Sequence, residues 1–255
     1  MPLAKVARAV VLALALAALA AGSAAGDGAL VEVNDIVLRA DGGFEPQTLP
    51  RRHFAPIEFR GHFDISTRRG APLPPLQQAL IDFDRDGRLS VAGLPTCAPE
   101  SIAREGTFEA RRTCRGAIVG TGHVGAAISL LGASVQTRAP LTIFNGPRLA
   151  TGPSVVLHAR TLVPLPETYA ILVPIERLHG GFRYRARLEL PPLAGGLGAL
   201  THVDARIDRR YRAGGRLRSY VSARCSDNVL QTHGDFTFAD GTVISGAVEK
   251  YCSDE

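Results

Sequence analysis

Phe182-Arg183-Tyr184-Arg185-Ala186-Arg187-Leu188-Glu189-Leu190 alternates apolar and charged residues without a break. A period of two puts Phe182, Tyr184, Ala186, Leu188 and Leu190 on one face of a strand. Arg183, Arg185, Arg187 and Glu189 fall on the other, whereas a helix would scatter both sets. The pattern recurs upstream, where Ile57, Phe59, Gly61, Phe63 and Ile65 alternate with Glu58, Arg60, His62, Asp64 and Ser66. It recurs again near the C-terminus at Leu230, Thr232, Gly234, Phe236 and Phe238. Half-buried strands of this kind build antiparallel sheets with one face on a core and one in water.

Turn formers separate the runs: Asp86-Gly87, Asn145-Gly146, Gly180-Gly181, Gly214-Gly215 and Asp240-Gly241. Such pairs supply the positive φ angles of tight hairpins. The chain therefore reads as all-β, an antiparallel β-sandwich or barrel-like domain of roughly a dozen strands. One short helical excursion interrupts it at Ser101 to Arg112, with Ser101 as N-cap and Gly106 as a weak point that can split it into two turns.

Residues 1–25 read as an export signal. Lys5 and Arg8 form a positive start, Ala9 to Ala21 is unbroken and apolar, and Ser23 and Ala25 occupy the −3 and −1 places of a cleavage site. The apolar run is too short to cross ~30 Å of hydrocarbon as a helix. Residues 26–255 are expected to form a single secreted β domain with no further transmembrane segment, in the medium or the cell envelope. Cleavage lowers the formal charge from +5 to +3, and Lys250 is the single lysine left among many arginines. The absence of Trp and the five Tyr argue against a carbohydrate-stacking surface.

Four cysteines in an exported chain imply two disulfides. Three pairings are open; Cys97–Cys114 and Cys225–Cys252 are preferred because each pair is close in sequence and lies in its own half. In a simple meander the outer strands stand too far apart for a bridge. Cys225 and Cys252 must then lie beyond the strand ends or on strands that pair directly.

Ile81-Asp82-Phe83-Asp84 leading to Gly93-Leu94-Pro95-Thr96-Cys97, then Phe144-Asn145-Gly146, then the stretch from Tyr220 to Thr242 carry a resemblance over most of the chain. The chain resembles an uncharacterised family of secreted, disulfide-containing proteins from actinobacteria and their relatives. That resemblance implies a secreted β protein and carries no activity or site residues with it.

Gly120-Thr121-Gly122-His123-Val124-Gly125 fits the glycine pattern of a dinucleotide-binding turn, but no acidic residue stands about 20 positions on. The segment is expected to be an extended strand through Ala127, with no nucleotide cofactor. Asp82, Asp84 and Asp86 fit the first half of a calcium loop, but Gly93 replaces the closing carboxylate. A strand, turn and return strand is preferred there, and no metal site is assigned. Seven histidines form no metal-binding spacing, and His62 and His202 fall on polar strand faces.

Arg183, Arg185 and Arg187 are candidate contacts for a polyanion, an anionic envelope polymer above all. The alternative is a solvated face paired with Glu189, Asp204 and Asp208. The composite expectation is a non-enzymatic extracellular or envelope module for binding or structure. The alternative is a secreted hydrolase whose site is built from separated strands, with catalytic residues unassigned.

Overall fold

A computed structural model describes residues 28–130, 132–163 and 165–254; the expected leader lies outside them. The chain runs through β1 (Ala29–Val33), β2 (Ile36–Glu45), β3 (Thr48–Leu49), β4 (Ala55–Pro56), β5 (Glu58–Thr67), β6 (Leu76–Asp84) and β7 (Gly87–Leu89). Helix α1 (Thr107–Thr113) precedes β8 (Ile118–Leu130), β9 (Ala133–Asn145), β10 (Ser154–Thr161), β11 (Glu167–Arg177) and β12 (Phe182–Glu189). Then come β13 (Gly198–Ile207), β14 (Arg210–Ala213), β15 (Arg216–Ser219), β16 (Val221–Ala223), β17 (Val229–Phe238), β18 (Val243–Tyr251) and β19 (Ser253–Asp254).

Twelve strands form one antiparallel sheet in the order β1-β2-β5-β13-β8-β9-β10-β11-β12-β6-β17-β18. The sheet curls until its two edges meet, making a nearly closed barrel. At the seam, Val31 of β1 lies against Gly246 of β18, and Lys250 Nζ reaches Asp41 Oδ1 at 2.9 Å. Only β8 to β12 form a simple meander. The chain leaves β5 for β6 on another part of the wall, and leaves β12 for β13 on the way back. Arg206 on β13 is thus far around the barrel from Arg183, Arg185 and Arg187 on β12, which a continuing meander would have made its near neighbours.

Period-two alternation decides which side chains face inward. The inward set on β5 is Phe59, Gly61, Phe63 and Ile65, while His62 and Asp64 point out. At one end Ile36, Leu38, Ile65, Leu76, Phe238 and Ile244 pack into an apolar plug. At the other end small sheets form a cap, β4-β16-β7 and β3-β19, beside the β14–β15 hairpin. Phe44, Leu49, Ile57, Cys225 and Cys252 make the core of that cap.

Both expected disulfides are present, with Cα separations of 5.6 Å for Cys97–Cys114 and 6.0 Å for Cys225–Cys252. Cys225 precedes β17 and Cys252 follows β18, so the bridge lies past the hairpin's open end, where the geometric condition is met. Cys97–Cys114 pins the helical excursion to the outside of β9 and β10, where Ile102, Ala110, Phe144 and Val156 are buried together. The excursion splits in two, a 3-10 turn at Pro99–Ser101 and α1 at Thr107–Thr113. Extended Gly106 caps α1, and Ser101 ends the first turn instead of starting a helix.

Two turn expectations change. Asn145 continues β9, and its buried amide donates to the Pro95 carbonyl at 2.9 Å, so Asn145-Gly146 opens a longer loop. Asp86-Gly87 does turn, but β7 pairs with β16 of the cap and does not return along β6. The Gly120 to Gly125 motif lies within extended β8, paired with β9 and β13. A Cβ at Gly122 would overlap the Asp204 carbonyl, and one at Gly120 the Arg206 carbonyl. These glycines serve close strand approach, and no helix follows to present its N-terminus to a phosphate.

Candidate functional site

A twelve-stranded barrel is wider than side chains readily fill, since eight strands already leave room for a small ligand. Here the inward positions do not compensate with bulk. Ala29, Ala40, Gly42, Gly61, Ala186, Ala205, Gly234 and Gly246 line the lumen where larger residues would close it. The aromatic rings lie along the wall. An added Cβ on Gly61 would meet the Phe59 ring at 3.5 Å, and one on Gly234 would meet the Phe236 ring at 2.7 Å. Phe59 stands edge-on to Phe83, and Phe63 to Phe236, at centroid separations of 5.7 and 5.6 Å.

Between plug and cap this leaves a cavity of about 340 Å³, within the size range of ligand pockets. Phe59, Phe63, Ile81 and Phe83 face the interior yet remain only partly buried, because they border space instead of side chains. Polar side chains hardly border it: Arg88 turns out to Phe54, Gln231 to Glu249, and the Asp84 carboxylate to the Asp86 and Gln231 amides. An occupant thus finds apolar walls almost throughout.

The three aspartates of the calcium-loop pattern are engaged elsewhere. Asp82 accepts two bonds from Arg185, both 2.6 Å. Asp84 accepts from the Asp86 and Gln231 amides at 2.8 and 2.9 Å. Asp86 is fully buried and accepts from Arg224 Nε at 2.7 Å and the Ser226 amide at 2.8 Å. Burial pushes both of these carboxyls up. It prevails at Asp84, aided by the charges of Asp86 and Asp227, whereas hydrogen bonds and the Arg224 charge hold Asp86 below the usual range.

The arginine row of β12 does lie on the outer face, opposite lumen-lining Tyr184 and Ala186. Arg185 pairs with Asp82 and Arg187 with Glu176, at 3.2 Å, rather than with Glu189, Asp204 or Asp208. Arg183 donates to the Arg85 carbonyl at 2.6 Å, and its guanidinium lies 5.3 Å from the centre of the Phe54 ring. Arg88 and Arg224 surround the same ring at 5.5 and 5.3 Å.

On the outer side of β5 and β13, His62 Nε2 donates to Asp64 Oδ2 at 2.9 Å and His202 Nδ1 donates to Asp64 Oδ1 at 2.8 Å. The rings meet edge to face at 5.0 Å. Burial raises the Asp64 carboxyl, but the two imidazole hydrogen bonds outweigh it and hold the group below its ordinary value. Both histidines occupy the polar strand faces that alternation assigns them; their meeting across β5 and β13 is not encoded in any local spacing.

Comparison with family models, with curated proteins and with solved structures gives no match.

Proposed function

We propose that this protein is a non-enzymatic, extracytoplasmic binding protein that holds a small, largely apolar molecule inside its barrel. The observation that carries this reading is the unfilled apolar lumen between two packed ends. Unfilled apolar space removes packing contacts, at ~20–25 cal/mol per Å³ in engineered cavities. A fold that leaves this much interior unfilled by its own side chains gains from a ligand that supplies the missing contacts. Two disulfides and the absence, among the described residues, of a helix able to cross a membrane agree with an extracytoplasmic setting.

The test is titration of the mature protein with N-phenyl-1-naphthylamine, a neutral apolar fluorophore that brightens on leaving water. Wild type should give saturable enhancement. Gly61→Leu, whose new side chain enters the lumen beside Phe59, should reduce affinity by at least about tenfold, given roughly 1.5–3 kcal/mol per large apolar side chain displaced. No enhancement in wild type, or equal titration of both proteins, would sink the reading.

A second reading, docking of an anionic envelope polymer, has one observation in its favour: the grouping of Arg88, Arg183 and Arg224 around Phe54. Arg88→Ser/Arg183→Ser should then elute from heparin resin at lower salt than wild type, because polyanion binding releases counterions. Unchanged elution would remove it.

A further inference from the structure

We propose that His62, Asp64 and His202 form a zinc(II)-binding site on the outer wall of the barrel, separate from the lumen. Among the described residues, this is the one group of three His, Cys, Asp or Glu side chains whose ligand atoms converge, all within 4.8 Å of one another. The backbone explains why. His62 and Asp64 are two apart on β5 and so share a face, and His202 of β13 stands directly opposite Asp64 in the ladder. Two antiparallel strands thus present three donors to one point, with the precision of paired backbone instead of a loop.

The donor chemistry selects the ion. Two imidazole nitrogens and one carboxylate suit zinc, which takes nitrogen and oxygen at ~2.0–2.2 Å in tetrahedral array. Calcium and magnesium prefer all-oxygen shells. The groups are already aimed: both ring nitrogens point at the Asp64 carboxylate, so an ion drawn between them needs only short side-chain shifts. All three side chains are partly exposed, which gives solvent access and leaves the fourth position to water. Asp204 flanks His62 in register on β13; on β2, Asp41 beside His62 is paired with Lys250, and Arg39 stands opposite Asp64.

One feature limits affinity. With His202 Nδ1 turned to Asp64, its Nε2 is buried and has no partner. Binding through Nδ1 moves the ring proton to Nε2, where no acceptor braces it, and metal-bound imidazoles normally have such a brace. Binding should therefore be micromolar and not of the tightness of closed four-ligand sites.

Calorimetry on untagged mature protein, stripped with chelator, tests this with ZnCl2 and, in parallel, CaCl2. The expected result is one zinc per chain, no calcium heat, and at least about tenfold weaker zinc binding in His62→Ala and in His202→Ala. Asp64→Asn keeps the side-chain shape and should weaken binding in the same way; circular dichroism matching wild type confirms that each variant is folded. Absence of zinc heat in wild type overturns the proposal, as does binding that survives in the His62→Ala/His202→Ala double variant.

Discussion

At the scale of single residues, His158 shows how burial decides a protonation state. It lies fully buried beneath the helical excursion, with Nε2 donating to the Glu105 carbonyl at 3.1 Å. Burial depresses its pKa, and the nearby Arg111 charge adds to the effect, against the opposing pull of Glu105. The folded ring thus stays neutral where the unfolded ring takes a proton. Stability is fully present above the unfolded value of about 6.5 and is lost as pH falls towards the depressed folded value. Thermal melts from pH 7.5 to pH 5 should show this decline. His158→Ala should be less stable at pH 7.5 by about 2–4 kcal/mol, for lost packing and loss of one of the two hydrogen bonds to the Glu105 carbonyl, and its pH dependence should be shallower. Equal slopes for both proteins would assign the acid sensitivity to other groups.

Among elements, the two disulfides separate cleanly in what they hold. Cys225–Cys252 closes the β17–β18 hairpin and sits in the apolar cap over the lumen. Cys97–Cys114 fastens a helical appendage on the outside wall. Each closes a short loop, so replacing either pair by serine should cost about 3 kcal/mol in denaturant unfolding. Only Cys225→Ser/Cys252→Ser should also weaken probe binding in the lumen; an equal loss from Cys97→Ser/Cys114→Ser would mean that the wall, not the cap, limits occupancy. Strands were the legible part of this protein. The 182–190 alternation matches β12 to within a residue, and the Gly-Gly and Asp-Gly turns at 180, 214 and 240 do join adjacent strands. The barrel's order was not legible, because β5 and β6 are consecutive in sequence yet pair with β2 and β13, and with β12 and β17. The cavity was hidden for a related reason. Alternation tells which side chains point inward, but only closure of the sheet tells whether Gly61, Gly234 and Gly246 leave a void or meet opposing bulk. The convergence of His62 and Asp64 with His202 was equally out of reach, since it depends on pairing across 138 positions of sequence.

For the whole molecule, the proposed binding in the lumen would put ligand and fold in one free-energy balance. Gly61→Leu, expected to impair probe binding, should at the same time raise the melting temperature, because its Cβ meets the Phe59 ring at ordinary van der Waals distance and the rest of the side chain covers apolar wall. Lower stability in that variant would show that the wall has less room than the cavity suggests. The interleaved strand order bears on biogenesis. As the chain is made from its N-terminus, β6 must wait on both sides for partners, β12 and β17, made about a hundred residues later or more. Until β12 and then the last hairpin arrive, Leu76 to Phe83 lacks a neighbour on one side or both and is open to pairing with other chains. Arrival of β17 and β18 is thus the event that commits this barrel to its closed shape.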